Sequence, residues 1–475
     1  MNSFQNIAKN VGVLFTSQIV NYILTFFVVV YTARYLGAEG FGILSLALSI
    51  SAIVGVCADL GFNSLIVREV ARDIKIESKF VTNVLLIKIL LLFFTFGITA
   101  LLVTVLNYSE LVKTVIYIIT ISVIINSFSG IFNSIFQANE KMEYISAGTV
   151  LTGVILFTGT VIGLYYHYGI LFFASIYVIS SSFVFIYIFL VYIRKFSLPK
   201  KDDIDIGFSV ANLKEALYFG TSAFLVAIYF YVASILLSLL DGNYAVGIFN
   251  ASWRLISVFL FIPNAIILAL FPVMSRHFKS SKDLLEFEYN KTFKYLSVIS
   301  IFILIYGFIF AEEIIGICYG PNYSDSVITL QVIIFVVPVI FLTTLFGNLL
   351  GSVNRQRFVT IVAAINAVAN VSLNILLIPK LGYIGAALVT VFTESIGFLL
   401  MFLYISKYIF RISIGSSLKR IIFIGIFIAL ITYALKLQIY WIYSAIVGFV
   451  LYMVLLLKLN VISKEEIQMF RKNIL

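Results

Sequence analysis

The sequence predicts an all-α integral membrane protein of about 14 transmembrane helices, set out as two six-helix lobes in parallel repeat and followed by a C-terminal helix pair. Three observations carry this. Hydrophobic residues make up 62% of the 475-residue chain and charged residues only 11%, whereas soluble domains carry about 25% charged residues. The apolar residues gather in runs near the roughly 20 needed to cross a bilayer core. The chain also repeats itself, at a distance far beyond that of a solenoid unit.

The runs fall at about 10–33, 41–66, 81–106, 112–136, 145–166, 169–193, 213–240, 245–272, 294–317, 326–351, 358–379, 382–409, 418–437 and 440–460. Residues 1–193 then form the first lobe, 194–212 a linker and 213–411 the second lobe, while 412–475 hold the extra pair and a tail. The repeat aligns the lobes. Asn107-Tyr108-Ser109-Glu110 returns as Asn322-Tyr323-Ser324-Asp325, 215 residues later, and the same offset relates Asn133 to Asn348 and Asn139 to Asn354. Nearer the start, Gly37, Gly42 and Ile43 fall on Gly242, Gly247 and Ile248 at an offset of 205. Six spans is an even number, so each half enters and leaves on one side, as in two-lobed membrane transporters whose substrate site lies between parallel repeats. The linker, from Arg194 to Asp203, is the most polar stretch between spans. Residues 273–293 alternate Arg276, Lys279, Lys282 and Glu286 with Phe278, Leu284, Leu285 and Phe287, which predicts an amphipathic helix along the membrane interface.

Charge sets the orientation. With both termini cytoplasmic, 26 of the 32 basic residues lie on the inner side and four, Arg34, Lys113, Lys380 and Lys436, on the outer. The last two, Lys88 and Arg254, lie inside spans. This predicts a multi-pass protein of the cell membrane. The net charge of +10 is spread over eight inner segments with no basic domain, which argues against nucleic acid as a partner and for anionic lipid headgroups. The first apolar run reads as a span rather than as a separate signal peptide. Cys57 and Cys318 form no CxxC pair, and His167 and His277 stand alone, so no metal or cofactor is expected. No segment outside the bilayer is large enough for a catalytic head.

Polar residues inside spans are costly, so their arrangement is informative. Gln18, Asn21, Tyr22 and Thr25 share one face of span one, and Asn126, Ser129, Asn133 and Gln137 one face of span four. Asn366, Asn370 and Asn374 make an amide ladder down span eleven, and Asn250, Arg254 and Ser257 a stripe on span eight. Each stripe reads either as interhelical glue or as the lining of a hydrated cavity, and their presence in both lobes favours the cavity. Arg254 is the leading candidate for a substrate contact, because a guanidinium holds phosphate oxygens in bidentate fashion and cannot be neutralised. Lys88, near the inner end of span three, reads equally as a substrate contact or as a snorkelling stem. Glu394, near the middle of span twelve, is a candidate proton or Na⁺ site or the counter-charge to Arg254. Asp59, close to Arg68 and Arg72, is a candidate for an ion pair that braces a gate.

Ala33-Arg34-Tyr35-Leu36-Gly37, Gly40-Phe41-Gly42 and Ala58-Asp59-Leu60-Gly61 with Arg68 beyond resemble the opening of polysaccharide flippases of the multidrug, oligosaccharidyl-lipid and polysaccharide exporter superfamily. The six-plus-six-plus-two plan extends the likeness over the whole chain. The resemblance implies a non-enzymatic flippase that turns a polyprenyl-pyrophosphate-linked oligosaccharide from the cytoplasmic to the outer leaflet by alternating access. It further implies a lipid-tail groove shaped by residues 418–460. For such a cargo Arg254, Lys88 and Arg34 would supply fixed cations to the pyrophosphate, while Asn133, Asn366 and Asn370 would meet sugar hydroxyls. A cation-coupled multidrug exporter and a peptidoglycan-precursor flippase of the same superfamily remain alternatives. A membrane polymerase is a more distant one, disfavoured by outer loops short and poor in His and Arg.

Overall fold

The computed structural model describes residues 3–196, 198–410 and 416–461, with side chains from residue 12 onward apart from most of 268–282 and 416–417. Among these residues there is no strand. The helices in chain order are α1 (Ser3–Asp59), α2 (Phe62–Arg72), α3 (Glu77–Val105), α4 (Glu110–Ala138), α5 (Met142–Tyr165), α6 (Ile170–Lys195), α7 (Ile206–Leu240) and α8 (Gly242–Phe259). They continue with α9 (Phe261–Ser280), α10 (Lys282–Ile309), α11 (Ala311–Cys318), α12 (Asp325–Ile333), α13 (Val336–Ser352), α14 (Gln356–Tyr408), α15 (Ser416–Lys436) and α16 (Trp441–Lys458). Among the described residues, twelve stretches are long and apolar enough to cross a membrane.

Two of those twelve are double. At 1.5 Å per residue, the 57 residues of α1 and the 53 of α14 would each reach more than twice the thickness of a bilayer core. Each is broken by a glycine that only a residue without a β-carbon occupies without strain, Gly37 at φ 69° and Gly382 at φ 54°. The arms of α14 run antiparallel, because Asn366 meets Gly397 and Asn370 meets Thr393 across the bend. Counting both arms of each gives the fourteen spans expected. Left-handed backbone positions keep the registers of the sequence repeat. Gly37 (φ 69°) pairs with Gly242 (φ 89°) at 205 residues, and His167 (φ 56°) with Gly382 (φ 54°) at 215.

Packing divides the chain into two compact units, Met1–Asn250 with Val371–Tyr383 and Ala251–Asn370 with Ile384–Leu475. In the first, the buried face of α2 (Phe62, Leu65, Ile66, Val70) packs with Phe80 and Val84 of α3, Phe132 and Phe136 of α4, and Tyr192 of α6. Within this unit the two copies of the repeat touch through glycine. A β-carbon on Gly42 would collide with the carbonyl of Asn243, and one on Gly247 with the carbonyl of Ala38. Such backbone-on-backbone approach is the means by which small residues hold membrane helices together. A second crossing of this kind sets Gly61 against α7, where a β-carbon would lie 2.5 Å from the Ala216 oxygen and 2.6 Å from the Gly220 nitrogen.

The linker is tied down along α3. The Ser78 hydroxyl donates to Leu198 O at 2.9 Å and to the Asp203 carboxylate, and the Asn83 amide bridges Asp203 O at 2.8 Å and Asp205 N at 2.9 Å. Asp205 caps α7 by accepting from Phe208 N at 2.9 Å and pairs with Lys79 at 2.7 Å. In the second unit, α15 and α16 dock on α10, where the Tyr452 hydroxyl donates to Val298 O at 2.8 Å and Tyr306 to Ala445 O at 2.6 Å. Lys436 closes the far end on Glu313 at 2.8 Å.

The amphipathic interfacial helix expected at 273–293 is not a separate element. α9 runs unbroken to Ser280, and Ser281 then caps α10, its hydroxyl accepting from Leu284 N at 3.4 Å. The side chains of Arg276, Phe278, Lys279 and Lys282, like Lys9 and the basic residues of the tail beyond 461, lie outside the described residues.

Gly247→Ala and Gly42→Ala are expected to lower the melting temperature in detergent by several degrees, since a methyl forced against backbone costs about 1–3 kcal/mol. Gly97→Ala, which meets nothing within 4 Å, is the control. Equal melting of all three would refute the crossing. A second expectation concerns pH. The Lys79 ammonium and the Phe208 N–H hold the Asp205 carboxyl below the usual carboxylate range. Its contribution to stability is therefore present above the unfolded value of about 3.9 and lost as pH falls through the lower folded value. Asp205→Asn, which keeps a capping side chain, is expected to melt below the parent at pH 7 and low salt, the gap closing below about pH 4. A gap that does not shrink at all between pH 7 and about pH 2 would remove the ion pair as its cause.

Candidate functional site

The first unit holds a buried ionic centre. α1 ends at Asp59, and the chain turns through Leu60 at φ 48° and Gly61 at φ 87° before α2 begins. That reversal puts Asp59 and Asn63, four residues apart, beside Lys88 of α3. The Lys88 ammonium donates to Asp59 Oδ1 at 2.9 Å, to Asn63 Oδ1 at 3.4 Å and to the Ser127 carbonyl of α4. Its side chain has no exposed surface, whereas that of Asp59 is 24% exposed.

This arrangement corrects two expectations. Lys88 does not snorkel, since its head turns inward to three acceptors rather than outward to an interface. The partner of Asp59 is Lys88, not Arg68 or Arg72. Arg68 instead binds Glu69 at 2.6 Å, Glu215 of α7 and the Phe219 ring at 5.5 Å, while Arg72 binds Glu69 at 3.0 Å. Asn133, on α4, is half-buried, and its Oδ1 has no hydrogen-bond partner among the described residues. Arg34 is exposed near the bend of α1. Asn21 lies against α5, its Oδ1 2.8 Å from where a Gly153 β-carbon would sit.

The second unit holds the other four candidates. Arg254 is half-buried on α8, and its guanidinium makes no ion pair or hydrogen bond among the described residues. Around it, Tyr319 donates to Ala251 O at 3.0 Å and Ser257 to Arg254 O at 2.8 Å. Asn366 and Asn370 are buried between the arms of α14. Asn366 Nδ2 lies 2.5 Å from the place of a Gly397 β-carbon, and Asn370 donates to Thr393 Oγ1 at 3.4 Å. These two rungs of the amide ladder thus join helices rather than face open space, although Asn366 Oδ1 keeps an unmet hydrogen-bonding capacity. Glu394 follows Thr393 on the same arm and is 6% exposed.

The sequence reading missed Asn63 and Ser127 as partners of Lys88. For Asn63 a signal existed, since it stands only four residues beyond Asp59. For Ser127 there was none, because the ligand is a main-chain carbonyl. Glu215, which meets Arg68 across α2 and α7, was also missed.

Residues 7–278 match the family described as polysaccharide biosynthesis protein, and residues 220–376 match the MatE family. A putative O-antigen transporter of Shigella dysenteriae is 27% identical over 407 residues, covering 83% of this chain and 98% of that protein. An uncharacterized membrane protein of Methanocaldococcus jannaschii is 28% identical over 207 residues, so that the chain spans 41% of its length. Among solved structures, the lipid II flippase MurJ in an inward closed conformation superposes with a TM-score of 0.76 at 17% identity, covering 93% of this chain and 97% of that one. An inward-facing multidrug resistance MATE transporter gives 0.63 at 16% identity over 82% and 94%. Both share the all-α membrane fold described above. With more than half its length matched, this chain belongs to the polysaccharide biosynthesis protein family, the polysaccharide flippases of the multidrug, oligosaccharidyl-lipid and polysaccharide exporter superfamily, and is a multi-pass membrane transporter.

Proposed function

We propose that the protein flips a polyprenyl-pyrophosphate-linked oligosaccharide from the cytoplasmic to the outer leaflet of the cell membrane by alternating access, with both termini in the cytoplasm. The lobes at 1–193 and 213–411 are the moving parts, joined by the linker 194–212, and residues 412–475 carry the accessory pair. The observation that carries the reading is Arg254. An arginine inside a membrane span is expensive unless compensated, and this one has no counter-charge of its own among the described residues. A diphosphate supplies the missing charge and accepts both arms of the fork. Arg34, exposed near the bend of α1, is a second contact on the cargo's path, and Asn133, with its unmet oxygen, offers an acceptor to a sugar hydroxyl.

The lipid tail has a separate place. A cavity of about 320 Å³ between α10 and α15 is lined by Ile301, Leu304, Ile305, Phe308, Ile422 and Ile426. Such a surface accepts isoprenoid and rejects the headgroup. Glu394, buried on α14, is the group through which a proton or Na⁺ gradient drives the cycle.

In vesicles carrying lipid-linked oligosaccharide, Arg254→Ala is expected to slow flipping about tenfold or more while the protein stays folded, since hydrogen bonds to charged groups contribute about 1.5–3 kcal/mol. Arg254→Lys is expected to retain part of the rate. Unchanged transport by Arg254→Ala would exclude this residue from the path. Glu394→Gln is expected to abolish the response to an imposed proton or Na⁺ gradient. An identical response would make that carboxylate structural.

A further inference from the structure

The shell around the Lys88 ammonium has the composition of an ion site. It consists of one carboxylate oxygen at 2.9 Å, one amide oxygen at 3.4 Å and one peptide carbonyl, from Asp59, Asn63 and Ser127. All three are hard oxygen donors, the ligand type that alkali and alkaline-earth cations take. The single carboxylate supplies one negative charge, which balances a monovalent ion and leaves a divalent one in excess. The shell is built by three helices around the lysine of a fourth: α1 brings Asp59, α2 Asn63 and α4 Ser127, while α3 brings Lys88. It is also closely held. A β-carbon on Gly130 would lie 2.5 Å from Asn63 Nδ2, so α4 leaves room for that amide only because Gly130 has no side chain. A lysine head is a compact point charge with three donors, and the protein presents it with three acceptors.

We propose that the oxygens of Asp59, Asn63 and Ser127 form a monovalent-cation site that Lys88 fills from within, as a tethered substitute for Na⁺ or K⁺. The 24% exposure of the Asp59 side chain is the route by which an ion from solution enters once the lysine is gone. The wild-type site is permanently occupied and draws no ion. This inference stands whatever the cargo, and it places any gradient coupling elsewhere in the chain.

The test removes the tether and offers the ion. Full-length Lys88→Ala is purified in detergent and melted in NaCl, KCl or choline chloride at equal ionic strength, and binding of radioactive Na⁺ is measured beside it. The wild type is expected to melt alike in all three salts and to bind no Na⁺ at this site. Lys88→Ala is expected to gain about 3 °C or more, saturably, in NaCl or KCl over choline chloride. Lys88→Ala/Asp59→Asn is expected to lose that gain, because the carboxylate is the charged ligand. Lys88→Ser leaves similar space and adds an oxygen, giving an independent reading if Lys88→Ala does not fold. Equal stabilisation by choline would mean charge screening and overturn the proposal. So would a gain that survives Asp59→Asn, or failure of both Lys88→Ala and Lys88→Ser to fold in every salt. Recovery of either variant only in NaCl or KCl would support it.

Discussion

A full positive charge with no exposed surface lies inside the first unit, and the helices around it are placed so that the membrane tolerates it. Removing an ammonium from water carries an effective penalty of several kcal/mol even after relaxation. Three acceptors from three helices meet Lys88, and each depends on a local feature of the chain. The left-handed Leu60 and Gly61 end α1 where Asp59 can reach it. The same Gly61 lets α7 approach to backbone contact, and the bare Gly130 gives Asn63 its space. The ion pair, the reversal after α1 and the crossing with α7 are therefore one arrangement. A change to any of them is transmitted to the others through packed backbone rather than through long side chains.

Much of this plan was legible in the sequence, for physical reasons. Hydropathy over 20-residue windows reports the membrane requirement directly, so the fourteen spans emerged, even where α1 and α14 run as single long helices bent at Gly37 and Gly382. The offsets of 205 and 215 reappear in the backbone because a left-handed glycine or its equivalent is needed at the same turn of each copy. Pairing was less legible. Asp59 was assigned to the arginines nearest in sequence, but helices bring together residues distant in the chain, and Lys88 is 29 positions away. The amide ladder on α14 showed its periodicity and hid its direction. Nothing in Asn366 or Asn370 says whether a helical stripe faces water or another helix. That was decided by the antiparallel return of the same helix, which brings Gly397 and Thr393 against them.

The two cations placed inside spans by the sequence differ in the partners the structure gives them. Lys88 has its counter-charge and its full set of acceptors supplied by the protein, so no polar ligand is needed to stabilise it. Arg254 has neither. Its guanidinium is half-buried, with Tyr319 and Ser257 spent on nearby main-chain carbonyls rather than on the charge. An uncompensated charge at that depth is a standing electrostatic demand. The first unit thus holds a buried cation met by acceptors from three of its own helices, and the second a half-buried one whose guanidinium has no ion pair or hydrogen bond among the described residues.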